Sequence, residues 1–246
     1  MPNEMDLDLL AFGAHPDDIE IGLGGIVARH AAEGYRVGLC DLTRGEMATN
    51  GTPEQRLAEA EAARRVLGAV WRGNLEWPDG EISETVEHAR AAAEVIRRWR
   101  PRVVAIPYWR DRHPDHAAAS RVLSLAAFKS GLRRYSAAGD AWRAEWICHY
   151  FINQSVEPSF VIDVSDYYET KRRALACHAS QFSAGVSDAK ATRLNSPRFL
   201  QLIESRDAQF GARAGVAFAE GLVVNELLLR SHVFKDEMRV RTPERT

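Results

Sequence analysis

Leu7-Asp8-Leu9-Leu10-Ala11-Phe12-Gly13-Ala14 is a short, largely apolar run, and it stops at His15-Pro16-Asp17-Asp18. A run of this length closed by a proline turn reads as a buried strand. Residues 24–32 then read as helix, stopped by Gly34, and residues 35–42 as a second strand. Strand, helix and strand at this spacing form a βαβ unit, with parallel pairing and a right-handed crossover. The expected fold is therefore α/β: a Rossmann-like three-layer α/β/α domain with a mostly parallel sheet.

The rest of the chain extends that pattern. Residues 43–51 are polar and glycine-containing, hence a loop. Thr52 as N-cap and Pro53 as first helical residue open a helix that runs to Leu67 and stops at Gly68. Ser83 caps another helix, ending before Pro101; residues 102–107 form a third strand and 116–128 a helix. Further on, 146–152 and 160–164 read as strands, 167–180 as helix, 183–197 as loop and 198–210 as helix. No repeat or linker divides the chain, so a single domain over residues 1–246 is expected.

Composition narrows the function. The 246 residues are 46% hydrophobic and 27% charged, enough for a substantial core and unlike a disordered chain. A net charge of −2 gives no basic face for nucleic acid. Cys40, Cys148 and Cys177 are scattered with no Cys-x-x-Cys pair, which fits a reducing compartment and suggests neither a disulfide framework nor a thiolate zinc site. The first ten residues lack the basic and apolar regions of a signal peptide, and no 18 apolar residues run together. A cytoplasmic protein with no membrane partner is the expectation.

Two clusters carry chemistry. Ala14-His15-Pro16-Asp17-Asp18 ends the first strand, and Arg112-His113-Pro114-Asp115-His116 follows the third. Residues beyond the carboxyl ends of parallel strands line one shared crevice, so the two should converge. Singly, a His-Pro is often a turn and an Asp-Asp a helix N-terminus. Together they offer imidazole and carboxylate ligands for zinc, which in catalytic sites keeps one position open for water. A two-histidine, one-carboxylate set also accepts iron or cobalt. Gly22-Leu23-Gly24-Gly25 superficially suggests a dinucleotide site. That fingerprint needs glycines in the turn after the strand, where His15 to Asp18 stand instead and would repel phosphate. A catalytically idle sugar- or metal-binding protein is a further class, disfavoured by the surplus of acid–base groups.

These clusters resemble those of the LmbE-like, or PIG-L, family of zinc deacetylases. The resemblance implies that His15, Asp18 and His116 ligate the metal and that Asp17 is the general base. An amide leaves poorly as an anion, so the base must also return its proton to the departing nitrogen. The tetrahedral oxyanion needs a further donor. His113, kept protonated and oriented by Asp115, is the candidate.

A finer likeness exists. Ala11 through Gly22, Cys40 through Glu46, Asn50-Gly51-Thr52 with Arg56, Tyr108 through His116, and Ser180-Gln181-Phe182 resemble bacillithiol-biosynthesis deacetylases. The implied substrate is N-acetylglucosaminyl-L-malate, an acetylated amino sugar; inositol-linked, free or chitobiose-type N-acetylglucosamine are the alternatives. Malate has two carboxylates, which suit arginine forks; Arg56 and Arg112 match the family's arginines, and Arg110 is a further candidate. Hexamers are known in the family, which implies a homo-oligomer. Some members place a tyrosine hydroxyl at the oxyanion; the matching positions here are Phe199 and Phe218. His30, His88, His149, His178 and His232 read as isolated structural residues, and Trp109 as a wall of the sugar pocket.

Overall fold

In the computed structural model, residues 6–183 and 189–227 are described; His232 lies outside them. β1 (Leu9–Gly13), α1 (Asp18–Ala32) and β2 (Val37–Thr43) form the expected βαβ unit, paired in parallel from Leu9 with Val37 to Gly13 with Asp41. α2 (Pro53–Leu67) begins and ends at the expected residues: Thr52 Oγ1 accepts from the Gln55 amide, and Gly68 closes the helix at φ 78°. β3 (Trp71–Trp77), α3 (Val86–Trp99), β4 (Val103–Pro107) and α4 (Pro114–Ser130) follow. β5 (Trp146–Tyr150), β6 (Phe160–Asp163), α5 (Tyr168–Cys177), α6 (Ala179–Phe182), α7 (Pro197–Ala214) and β7 (Ala219–Val223) complete the order. The cap of α3 is Thr85 rather than Ser83. The helix expected over 167–180 divides into a 3-10 turn, α5 and α6, separated at His178.

One seven-stranded sheet runs β3-β2-β1-β4-β5-β7-β6, parallel except where β7 pairs antiparallel with β5 and β6. Alternate residues of each central strand enter different cores. Leu9 and Ala11 of β1 pack with α1, α2, α5 and α7, whereas Leu10 and Phe12 pack with α3 and α4. Helices thus cover both faces, which is why β1 and β4 are apolar throughout. Among the described residues no helix is long and apolar enough to cross a membrane.

The glycines of α1 are packing residues. A Cβ on Gly22 would lie 2.2 Å from the Tyr150 ring, and one on Gly25 would lie 2.7 Å from Val164. The Glu220 carboxylate also reaches this helix, accepting from Gly25 N–H at 2.9 Å and Ile26 N–H at 2.7 Å. Lys171, wholly buried, donates to both Glu220 and Asp207 at 2.6 Å. This contact explains the glycine run without a nucleotide.

Candidate active site

The carboxyl ends of β1 and β4 deliver the two clusters to one place. After β1 the chain turns sharply: His15 N–H donates to Asp18 Oδ2 at 2.9 Å, and Asp17 takes φ 109°, ψ −26°. A non-glycine residue there is strained by about 1–3 kcal/mol, and such strain clusters at functional sites. Arg56 of α2 fixes the turn, donating through Nη2 to Pro16 O (2.6 Å) and Asp17 Oδ2 (3.1 Å), and through Nη1 to Gly45 O (3.0 Å). After β4, His113 caps α4 with Pro114 as its first residue, so Asp115 and His116 stand on the first helical turn.

Asp18 lies between two imidazoles. Its Oδ2 is 3.4 Å from His15 Nδ1 and its Oδ1 is 3.2 Å from His116 Nε2. The far nitrogen of each ring faces other carboxylates: His15 Nε2 is 3.1 Å from Asp79 and 3.3 Å from Asp115, and His116 Nδ1 is 3.0 Å from Asp111. Carboxylates that take the rear N–H of an imidazole leave its other lone pair directed forward, the usual support of a metal-ligating histidine. Ligand atoms of His15, His113 and His116 also lie within 4.8 Å of one another. Two imidazoles and a carboxylate with rear carboxylate partners fit a divalent transition-metal ion.

The electrostatics follow from burial and crowding. Burial opposes the charge of Asp18, yet His116 and His15 hold its carboxyl well below the usual range. Burial likewise opposes charge on His116, but Asp18 and Asp111 outweigh it and raise the ring to about 9. Asp17 is pushed up to about 6 by burial, with Arg56 pulling down and Asp18 pushing up. His113 moves the other way: burial, His116 and His15 lower it.

The Asp115 carboxylate acts on His113 through its charge; its Oδ2 accepts from Gly80 N–H at 2.8 Å and meets His15. What orients His113 is the Asp115 backbone amide, which donates to Nδ1 at 3.3 Å. A ring whose Nδ1 accepts carries its proton on Nε2, as a neutral donor.

Arg56 is buried, 4% exposed, and turned to Asp17. Both Arg56 and Arg112 line the open cleft of ≈460 Å³ with His15, Asp17, Asp18, His113 and His116. Arg110 and Trp109 do not line that cleft; Trp109 packs on Tyr108 and His149. Phe199 lines it, whereas Phe218 stacks on Tyr168 at 3.8 Å. His178 is not isolated: it is wholly buried, 3.4 Å from Glu20.

Several residues of the site were not read from the sequence. Asp79 follows β3, a strand missed there, and also accepts from Met47 N–H at 2.9 Å. Asp111 stands one residue before the second motif, and its position was the available signal. Asn153 after β5 donates to Asp111 at 2.9 Å, and Arg193 donates to Asn153 at 2.7 Å.

Residues 10–127 match the family described as PIG-L: GlcNAc-PI de-N-acetylase. A diacetylchitobiose deacetylase of Thermococcus kodakarensis is 29% identical over 229 residues, covering 87% of this chain and 81% of that protein. A 1D-myo-inositol 2-acetamido-2-deoxy-alpha-D-glucopyranoside deacetylase of Segniliparus rotundus is 27% identical, covering 69% of this chain and 75% of that protein. The crystal structure of a conserved protein from Thermus thermophilus superposes with a TM-score of 0.83 at 39% identity, over 91% of this chain and 97% of that one. Both histidine clusters fall inside the matched segment and the likeness continues well beyond it, so the chain belongs to the PIG-L, or LmbE-like, family of N-deacetylases.

Proposed function

We propose that this chain hydrolyses the acetamide of N-acetylglucosaminyl-L-malate, releasing acetate and glucosaminyl-malate for bacillithiol synthesis. The observation that carries the chemistry is Asp17, fixed by Arg56 beside the His15, Asp18 and His116 donor set at the floor of an open cleft. His15, Asp18 and His116 would hold zinc. When bound, such an ion supplies Lewis acidity toward the acetamide carbonyl and a water molecule.

The chain's own groups do the rest. Asp17 takes a proton from the attacking water and returns it to the nitrogen as the C–N bond breaks, so that a neutral amine leaves, and the water's second proton departs to solvent as the acid product ionises to acetate. Arg56 keeps that carboxylate aimed at the cleft. His113, through Nε2–H, donates to the developing oxyanion, a role that Phe199 and Phe218 cannot serve. Asp79, Asp111 and Asp115 hold the two ligand rings in place. Arg112 stands at the mouth, where an aglycone carboxylate would lie.

The relatives named for diacetylchitobiose and for an inositol glycoside support a second reading, with the same chemistry on another aglycone. Free-amine release by the zinc-loaded enzyme from the malate, inositol, chitobiose and free N-acetylglucosamine substrates separates them. Fastest release from the malate glycoside supports the proposal. A faster rate on any other moves the assignment to that substrate, and metal uptake without release from any points to a binding protein.

A further inference from the structure

Several surface arginines of the chain meet a carboxylate. Arg29 pairs with Glu33 at 2.9 Å, Arg121 with Glu84 at 2.8 Å, and Arg213 with Glu157 at 2.6 Å. Arg112 and Arg193 do not, although both line the active-site cleft. Among the described residues Arg112 has no hydrogen bond or ion pair, and Arg193 is held only by neutral groups. Its Nη1 donates to Asn153 Oδ1 at 2.7 Å, and its guanidinium lies 5.1 Å over the Phe199 ring. Phe199 occupies a position where a tyrosine was looked for, and its ring is a seat for a cation instead.

The two guanidiniums also oppose each other. Burial and the charge of Arg112 both lower the proton affinity of Arg193, with Asp111 a weaker counterweight. Two like charges lining one cleft, neither paired with a carboxylate and only partly offset by Asp111, favour an anion from outside. Their place in the site says which part of a ligand they meet. Arg193 reaches Asn153, Asn153 reaches Asp111, and Asp111 faces His116 Nδ1, the nitrogen turned away from Asp18. Arg193 thus lines the cleft from behind His116, so a ligand group that it meets is a different one from the acetamide.

We propose that Arg112 and Arg193 form a subsite for an anionic group on the aglycone, and that Arg193 is a specificity-determining residue. This rests on the deacetylase reading of the same cleft. A planar guanidinium pair suits a carboxylate or a phosphate; Arg193 is the part of it that the sequence did not reveal.

The test uses a matched pair of probes that cannot be deacetylated: a glucoside of a hydroxy acid and its uncharged methyl ester. Their affinities for the metal-loaded full-length protein are measured by calorimetry, for wild type, Arg193→Gln and Arg112→Gln. Glutamine removes the charge at position 193 but keeps a donor for Asn153. The expected result is about 10-fold tighter binding of the acid by wild type, the scale of a charged hydrogen bond, with most of that ratio lost in Arg193→Gln. Equal affinity of the two probes for wild type, or a ratio that survives both substitutions, overturns the proposal. Amine release from the N-acetyl forms of the two probes is followed separately. Release without discrimination removes the subsite and leaves the deacetylase reading; discrimination without release does the reverse.

Discussion

Lys171→Met tests the contact that joins α1, α5, α7 and β7 on one face of the sheet. The ammonium is wholly buried between Asp207 and Glu220, at 2.6 Å from each. Methionine fills similar space but leaves two buried carboxylates without their shared cation. Breaking a buried pair from one side costs about 3–5 kcal/mol. The low end applies here, because Asp207 keeps Arg206 Nε at 2.9 Å and the Tyr168 hydroxyl at 3.1 Å, and Glu220 keeps two backbone amides. At about 2.1 cal/mol/K per residue, a chain of 246 residues unfolds with an entropy near 0.5 kcal/mol/K, so ~3 kcal/mol lowers Tm by about 6 °C.

The pH dependence gives the sign. Burial already raises the Glu220 pKa above its usual value, with Lys171 pulling it down. Removing Lys171 raises it further. A carboxyl raised in the folded state costs no stability below its unfolded pKa, and the cost grows as pH rises toward the folded pKa. The Tm deficit of Lys171→Met should therefore shrink between pH 8 and pH 5, and Lys171→Met/Glu220→Gln should recover part of it at pH 8. Circular-dichroism melts of the three proteins at both pH values read this directly. A deficit under about 2 °C at pH 8 (less than 1 kcal/mol by the same conversion), or one unchanged at pH 5, would refute the ion-network reasoning.

Three further outcomes follow from the site and the helix beneath it. Arg56→Gln should lower kcat on any accepted acetamide by about 10²-fold, the lower range for a misdirected general base, with metal content unchanged by elemental analysis; a kcat within twofold of wild type would show that Asp17 needs no such support. Asp111→Asn should weaken metal binding about 10–100-fold in a chelator competition, because His116 loses its rear carboxylate, and unchanged competition would dissociate Asp111 from the ligand set. Gly22→Ala puts a Cβ 2.2 Å from Tyr150 and should cost about 1–3 kcal/mol in urea unfolding; an unshifted midpoint would mean that α1 has room to move away from β5.

The fold was legible where burial is two-sided. β1 and β4 are apolar along their length, and β2 is so but for Asp41 and Thr43, because helices cover both faces of the sheet, and Thr52-Pro53 with Gly68 bounded α2 through local capping alone. β3 was missed because Arg72, Asn74 and Glu76 make it read as polar. In the structure Arg72 is buried: its Nε and Nη2 donate to Asp41 at 2.8 and 2.9 Å, and Nη1 reaches Glu20. Asp41 lies within apolar β2 and Glu20 within α1, so the charge pattern that hid the strand is compensated only once three elements are assembled. β7 was missed for a related reason, its Glu220 being an inward residue that serves α1.

The same division runs through the site. Each motif could be read because its residues are consecutive and lie at a strand end, where the topology alone brings them together. Their partners come from single positions on other segments: Asp79 beyond the missed β3, Asn153 beyond β5, Arg193 before α7. Nothing local marks these residues as different from any polar loop residue. The reversal at Asp115 has the same origin. Sequence places its carboxylate two residues from His113, but at the helix start His113 is the cap, its ring accepting from the Asp115 backbone amide, while the Asp115 side chain turns to His15. Adjacency in a motif therefore identified which residues come together, and the helix start decided which atoms meet.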